Sequence, residues 1–461
     1  MAKAGKTAYV CESCGHDESK WLGRCPSCGE WNTLKEIRLP GGSVSSAAAR
    51  SAASRIASAV PFGTRRPIPL AEVDPAPPER HPTGIGELDR VLGGGLSPGT
   101  AVLIGGEPGI GKSTLMLQVA AGFAGTGLYV SGEESPGQLK NRADRLHLAQ
   151  DGLKILCETD LDALMDAVDA DRPDFLVVDS IQTLVSGEAG AVPGTPNQLK
   201  IAGHRLTSWA KAALVPLFLI AHVTKEGIIA GPKVIEHLVD TVLYFDHSST
   251  DLRILRASKN RMGSVDEIGM FRMGAGGLTP IADPAGMFLE RRDGEPPAGS
   301  AVAAVYEGSR ILLVEIQALT VPAKGGSGRV YSDRIDTARV SRVAAVLERH
   351  AGLRLSDQDL YVNVAGGLRI ADTGVELALA LALASARAER ALPGNLVAVG
   401  ELSLAGEIRS VPHLRRRIKT AADTGMERWL APSASDESGA YPGKGRPQRL
   451  IRDAVAAALA G

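Results

Sequence analysis

Gly106-Glu107-Pro108-Gly109-Ile110-Gly111-Lys112-Ser113 decides the fold of this chain. The stretch matches G-x4-G-K-[ST] in full, a glycine loop whose backbone amides bind phosphate oxygens. It follows the short apolar run Ala101–Gly105 and precedes a helix-like run, Thr114–Ala124. Strand, loop and helix in that order are what phosphate binding requires. Lys112 is expected to neutralise the β- and γ-phosphates of ATP, Ser113 to offer its hydroxyl to Mg2+, and Thr114 to contact the α-phosphate. Further along, Gly127–Ser131, Phe175–Val178 and Leu217–Ala221 read as strands buried on both faces. Thr241–Phe245 and Leu252–Ala257 read as a later pair. An α/β fold follows, with a mainly parallel sheet between helices.

Four apolar residues, Phe175 to Val178, end in Asp179, the acid expected to hold Mg2+ with Ser113. Hydrolysis also needs a carboxylate that orients or deprotonates water. Ser131-Gly132-Glu133-Glu134 ends the strand next in order after the phosphate loop, with Glu133 the first choice and Glu134 the second. His222 closes Leu219-Ile220-Ala221 and reads either as a sensor of the γ-phosphate or as a hydrogen-bonded strand-end histidine. Lys259 and Arg261 follow the later strand pair. They can supply positive charge to a phosphoryl transition state, contact nucleic-acid phosphates, or sit on a solvated loop.

A chain of 461 residues has room for two or three domains, and 44% hydrophobic residues can fill their cores. The net charge of -1 excludes a global attraction to nucleic acid, so any such contact must be local. No apolar run approaches the roughly 18–20 residues that span a bilayer, and Met1–Lys6 lacks the apolar core of a signal peptide. A cytoplasmic location with no membrane contact is expected. Of five cysteines, four form Cys11-x2-Cys14-x10-Cys25-x2-Cys28, the spacing of a tetrahedral all-thiolate Zn2+ site. The fifth, Cys157, lies in an apolar stretch and reads as core packing. Residues 7–35 are thus a zinc ribbon, 36–80 a flexible Ala/Ser/Pro/Arg linker, 81–283 the nucleotide-binding domain and 284–461 a further unit.

The segment Thr83-Gly84-Ile85-Gly86-Glu87-Leu88-Asp89, followed by Gly93-Gly94-Gly95-Leu96, resembles the leading segment of RecA-type ATPases. His222-Val223-Thr224-Lys225-Glu226-Gly227 is similar to the bacterial RadA (Sms) family of DNA-repair proteins. So are Ala230-Gly231-Pro232-Lys233, the stretch from His237 to Tyr244 and the four-cysteine ribbon. So is Lys259-Asn260-Arg261-Met262-Gly263, where the family has Phe at the place of Met262. The resemblance covers almost the whole chain apart from the linker. It implies a RecA-like P-loop ATPase core, an N-terminal zinc ribbon and a C-terminal α+β domain like that of the Lon protease. It further implies a homo-hexameric, nucleoid-associated motor that hydrolyses ATP and binds single-stranded and branched DNA. Such a motor promotes branch migration in recombination and repair beside a recombinase or a replicative helicase. On this reading Lys259 and Arg261 reach the ATP of the neighbouring subunit, or the DNA.

Gly400–Arg409 resembles a strand pair of the Lon proteolytic domain. Val375, in Asp372-Thr373-Gly374-Val375-Glu376-Leu377, stands where that protease has its serine, and Arg415 where it has its lysine. Arginine stays protonated and cannot act as a base, so peptide hydrolysis is not expected. The run Arg415-Arg416-Arg417-Ile418-Lys419 is instead expected to face DNA. Two other readings remain at this point, an ATP-dependent protease and a clock-type signalling ATPase on the same core.

Overall fold

Runs of β-branched and aliphatic residues between short polar turns set the central sheet. The structure, a computed structural model, describes residues 7–11, 17–18, 20–26, 29–38, 69–72, 79–149, 151–187, 193–222, 234–247, 251–290, 292, 294–325, 328–432 and 441–460. Cys14, Cys28, most of the expected linker and the motif residues 223–233 lie outside the described residues. The chain divides into two units, Met1–His247 with Arg253–Pro280, and Ser248–Leu252 with Ile281–Gly461.

At the start of the first unit, β1 (Thr7–Cys11), β2 (Asp17–Glu18) and β3 (Leu34–Arg38) form a small antiparallel sheet in the order β2-β1-β3. Nine further strands make one large sheet. These are β4 (Ala101–Gly106), β5 (Gly127–Ser131), β6 (Leu153–Cys157), β7 (Phe175–Asp179) and β8 (Leu217–His222). They are joined by β9 (Thr241–His247), β10 (Leu252–Asn260), β11 (Ile268–Gly274) and β12 (Gly277–Pro280). The order is β12-β11-β10-β9-β4-β8-β7-β5-β6. From β9 to β6 every pairing is parallel, and β10 turns back antiparallel to β9. The later strand pair expected from the sequence is this β9–β10 hairpin.

Strands β4, β5 and β7 are buried at every position. Alternation sends Val102, Ile104, Tyr129, Val177 and Phe218 to one face, against Leu115, Met116 and Val119 of the helix Lys112–Gly122. Leu103, Val130, Leu176 and Val178 go to the other face, against the helices Leu161–Asp171 and Pro196–Ala213. Each such aliphatic side chain contributes about 1.5–3 kcal/mol by leaving water. The sheet is therefore a rigid plate whose carboxyl-terminal edge carries the loops. Strand β6 is the exception. It lies at the sheet's end and is largely exposed, and Cys157 at its tip is exposed too, its Sγ donating to Glu134 O at 3.2 Å. The expectation that Cys157 packs in a core fails because its apolar stretch forms an edge strand.

The second unit is an α+β domain. Its sheet joins β13 (Ser300–Glu307), β14 (Arg310–Pro322), β15 (Val330–Ser332), β16 (Gln358–Val364) and β17 (Leu396–Ala398). The small pair β18 (Glu401–Leu402) and β19 (Ile408–Arg409) precedes the last members, β20 (Arg428–Ala431) and β21 (Lys444–Pro447). The order is β15-β16-β14-β13-β17-β20-β21. Between β18 and β19, Gly406 at φ 78° bends the chain into a turn, and Ser403 N donates to Glu407 O at 3.0 Å. The Leu/Ala helix Glu376–Ala388 is buried from Glu376 through Ser385, apolar all round because protein surrounds it. Among the described residues, no helix is long and apolar enough to cross a membrane.

Candidate nucleotide site

The site is built at the carboxyl edge of the parallel strands, where ligands bind in such sheets. Gly106, the last residue of β4, pairs with His222, the last of β8, and Ser131 pairs with Asp179 at the ends of β5 and β7. The phosphate loop leaves β4 with Gly109 at φ 77° and Gly111 at φ 116°. A Cβ on Gly111 would lie 2.5 Å from Met273 Cε, whose strand β11 packs across the loop. Left-handed backbone and close cover together demand glycine there. Lys112 opens the helix Lys112–Gly122 and is buried, its ammonium donating to Gly106 O at 2.7 Å and Glu107 O at 3.0 Å. Burial pushes its pKa below the usual lysine value, while the charges of Asp179 and Glu133 oppose that shift.

Asp179 is buried at 5% exposure. Its Oδ2 accepts from the Tyr129 hydroxyl at 2.6 Å, and its Oδ1 is buried with no hydrogen-bond partner among the described residues. A carboxylate oxygen held out of water without a donor is costly, and a cation relieves that cost. The donor set of Asp179 and the Ser113 hydroxyl, both oxygen, therefore fits Mg2+. The Asp179–Ser180 peptide bond is cis.

Ser180 donates its hydroxyl to Glu133 Oε1 at 2.7 Å, and His222 Nε2 lies 3.0 Å from the same oxygen. Burial pushes the Glu133 pKa up, but the hydrogen bonds from Ser180 and His222, with the charges of His222 and Lys112, outweigh it and hold the carboxyl below its ordinary value. His222 Nδ1 is buried without a partner among the described residues. The turn that delivers Glu133 needs Gly132, because a Cβ there would come within 1.9 Å of Thr183 Oγ1. Glu134 turns elsewhere. Its amide donates to Ser131 Oγ at 2.9 Å and its Oε1 pairs with Arg142. Arg142 rides on the helix Pro136–Arg145, which starts with a capping box between Ser135 and Gln138.

The structure thus brings Lys112, Asp179, Glu133 and His222 together and keeps Glu134 on an ion pair beside them. It does not bring Lys259 or Arg261 to this site. In register Asn260 pairs with Thr241, which pairs with Val102, so Arg261 lies at least four residues, about 13 Å, short of Gly106 along the sheet. The Lys259 ammonium donates to Glu236 O at 2.8 Å and Val239 O at 2.6 Å, and burial, then Arg261, lower its pKa. Met262 N donates to Asn260 Oδ1 at 2.9 Å, so the turn is held by Asn260 rather than by the side chain at 262.

Tyr129, Ser180 and Arg142 were not singled out in the sequence. Only Tyr129 carried a signal, a phenol in the otherwise apolar strand Leu128-Tyr129-Val130, which must find a buried partner.

Two cysteines of the expected zinc site, Cys11 and Cys25, are buried and pack with Leu34 and Tyr9. Buried thiols at the end of a strand and in a turn suit a closed thiolate site, while the other two candidate ligands are outside the described residues.

In the second unit, Val375 is buried at the start of the Leu/Ala helix. Arg415 is exposed, whereas Arg417, two residues further on, is buried. Arg417 is 1% exposed and ion-pairs with Asp372, with Nη2 3.2 Å from Oδ1. It also donates to Ala304 O at 2.7 Å and Pro412 O at 2.9 Å. The expectation that the whole basic run faces DNA is corrected accordingly. Its helix is amphipathic, and Arg417 lies on the inner face while Arg415, Arg416 and Lys419 are exposed.

Residues 9–36 match the family model described as a rubredoxin metal binding domain, residues 69–227 an AAA domain, and residues 333–435 subunit ChlI of Mg-chelatase. The chain is 51% identical over 432 residues to the DNA repair protein RadA of Treponema pallidum, covering 94% of this chain and 93% of that one. It is 43% identical over 441 residues to the RadA of Bacillus subtilis, 94% of each chain. Against that of Haemophilus influenzae it is 43% identical over 435 residues, 94% of this chain and 93% of the other. Among solved structures, a KaiC-like protein of Pyrococcus horikoshii aligns at TM-score 0.37 and 20% identity, over 44% of this chain and all of that one.

Proposed function

The chain belongs to the RadA family of DNA-repair proteins, and from that premise we propose that it is an ATP-hydrolysing motor that works on DNA during recombination and repair. The observation that carries the reading is the convergence of Lys112, Asp179, Glu133 and His222 on one sheet edge, with Asp179 Oδ1 unpaired. Lys112 leaves its carbonyl partners to neutralise the β- and γ-phosphates. Ser113 and Asp179 hold Mg2+, which supplies charge neutralisation on the phosphates when bound. Glu133, deprotonated and oriented by Ser180, takes the proton of the attacking water. His222 shares the Glu133 oxygen and so responds to the γ-phosphate.

Lys259 and Arg261 act on the ATP of a neighbouring subunit in a hexameric ring, or on DNA. Their placement away from their own phosphate loop supports this. The ribbon holds Zn2+ through Cys11, Cys14, Cys25 and Cys28. Peptidase chemistry is disfavoured, because the buried Val375 stands where the protease has its serine and Arg415, which cannot act as a base, where it has its lysine.

The test is ATP hydrolysis with and without single-stranded DNA, and branch migration on a three-strand DNA substrate. Stimulation by DNA and ATP-dependent migration are expected, both lost in Lys112→Ala. Hydrolysis that ignores DNA, with phosphate transferred to the protein itself, overturns the motor in favour of a signalling ATPase.

A further inference from the structure

Tyr129 sits in the middle of β5, 0% exposed, on the face covered by the helix that follows the phosphate loop. Its hydroxyl reaches across to the neighbouring strand β7, two residues beyond its register partner Val177, to Asp179 Oδ2 at 2.6 Å. A phenol in so apolar a place must spend its proton on a partner, and here the partner is the acid expected to hold the metal. The two carboxylate oxygens are thereby made unequal. Oδ2 is tied to Tyr129, and Oδ1 is buried with no partner among the described residues.

We propose that Tyr129 is a positioning residue for the metal. Its hydroxyl fixes the rotation of the Asp179 carboxylate so that one oxygen alone is presented to the divalent cation that accompanies the nucleotide. The neighbouring cation explains why such a clamp matters. The charge of Asp179 is felt at Lys112, and Lys112 is itself needed on the phosphates. A carboxylate free to rotate would pair with that ammonium and draw it from its task. With Oδ2 already occupied, Asp179 has a single oxygen to offer, and Lys112 rests on Gly106 O and Glu107 O instead. No other hydroxyl donor reaches Asp179 among the described residues, since the hydroxyl of the adjacent Ser180 is committed to Glu133. The inference rests on the reading that this edge binds a metal–nucleotide complex.

The experiment measures Mn2+ binding by electron paramagnetic resonance, in the presence of ADP, with the full-length chain. Tyr129→Phe keeps the ring and removes only the hydroxyl. We expect Mn2+ to bind about tenfold more weakly, the scale of losing one charge-assisted hydrogen bond. The affinity for ADP without metal should be unchanged. In an Asp179→Asn background the same change should have no further effect, because the hydroxyl acts through Asp179. An unaltered Mn2+ affinity in Tyr129→Phe overturns the proposal. So does an equal loss in the Asp179→Asn background, or a parallel loss of metal-free ADP binding, either of which marks a packing role. Should Tyr129→Phe fail to fold by thermal melt, the tyrosine ultraviolet difference spectrum of the wild type decides. Mn2+ with ADP must perturb it, and a flat difference spectrum overturns the clamp. A wild-type chain that binds neither Mn2+ nor ADP would instead overturn the proposed function.

Discussion

Replacing Arg417 by alanine removes the cation of a buried pair and strands what it held. Arg417 is 1% exposed and donates to both oxygens of Asp372, to Ala304 O and to Pro412 O. Breaking one side of such a pair costs about 3–5 kcal/mol, because the remaining charge stays buried. Asp372 would keep two donors, Tyr306 N and Gly374 N at 2.8 and 2.9 Å, which places the expected loss toward the lower end of that range. The carbonyls of Ala304 and Pro412 would each lose a donor, which adds to it. The same substitution at the exposed Arg415 should change stability by no more than about 0.5 kcal/mol. Native-state hydrogen exchange of the buried helix Glu376–Ala388 measures the C-terminal unit directly. Its slowest amides should lose protection in Arg417→Ala and not in Arg415→Ala. Removing both charges at once, as Arg417→Met with Asp372→Asn, should recover much of the loss. If Arg417→Ala and Arg415→Ala behave alike, the buried pair does not organise this unit and the reasoning is wrong.

Glu133→Gln should slow ATP hydrolysis about 10²–10⁴-fold with nucleotide binding retained, while Glu134→Gln stays near wild type; steady-state kinetics separates the two, and an effect centred on Glu134 would reverse the assignment. Because Glu133 is held below its ordinary pKa, the base stays ionised as the medium is acidified, so hydrolysis should persist at a pH where an unperturbed glutamate, about 4.3, is already protonating. His222→Ala removes one of the contacts responsible and should move that acid limb upward, as a pH–rate profile would read. Cys28→Ser should lower the zinc content found by atomic absorption, and an unchanged metal content would remove the ribbon from the account.

The phosphate loop and the strand ends were legible because each is local. A glycine pattern, four apolar residues before Asp179 and a polar residue after Leu219-Ile220-Ala221 are read within a few positions. The choice between Glu133 and Glu134 was not local. The two are adjacent in sequence, and only the arrival of Ser180 and His222 from other strands, against Arg142 from the following helix, separates them. Arg417 was hidden for the same reason. In a run of three arginines, helical phase decides which one turns inward, and the partner Asp372 lies 45 residues away. Cys157 misled because an apolar run ended in an edge strand, where hydropathy does not measure burial.

Strand β4 is tied at both ends. At Gly106 it becomes the loop proposed to grip phosphate. At Ala101 its amide donates to Asp240 Oδ2 at 3.1 Å and its carbonyl accepts from Asp240 N at 2.9 Å. Asp240 is steadied by Lys211 at 3.3 Å, and its own carbonyl accepts from Arg261 N at 3.1 Å. The six residues from Ala101 to Gly106 are all buried, a strut about 17 Å long with no soft joint in it. A push on the turn that carries Lys259 and Arg261 therefore meets a stiff member whose far end is the phosphate grip. In mechanical terms the sheet works as a lever arm rather than a hinge.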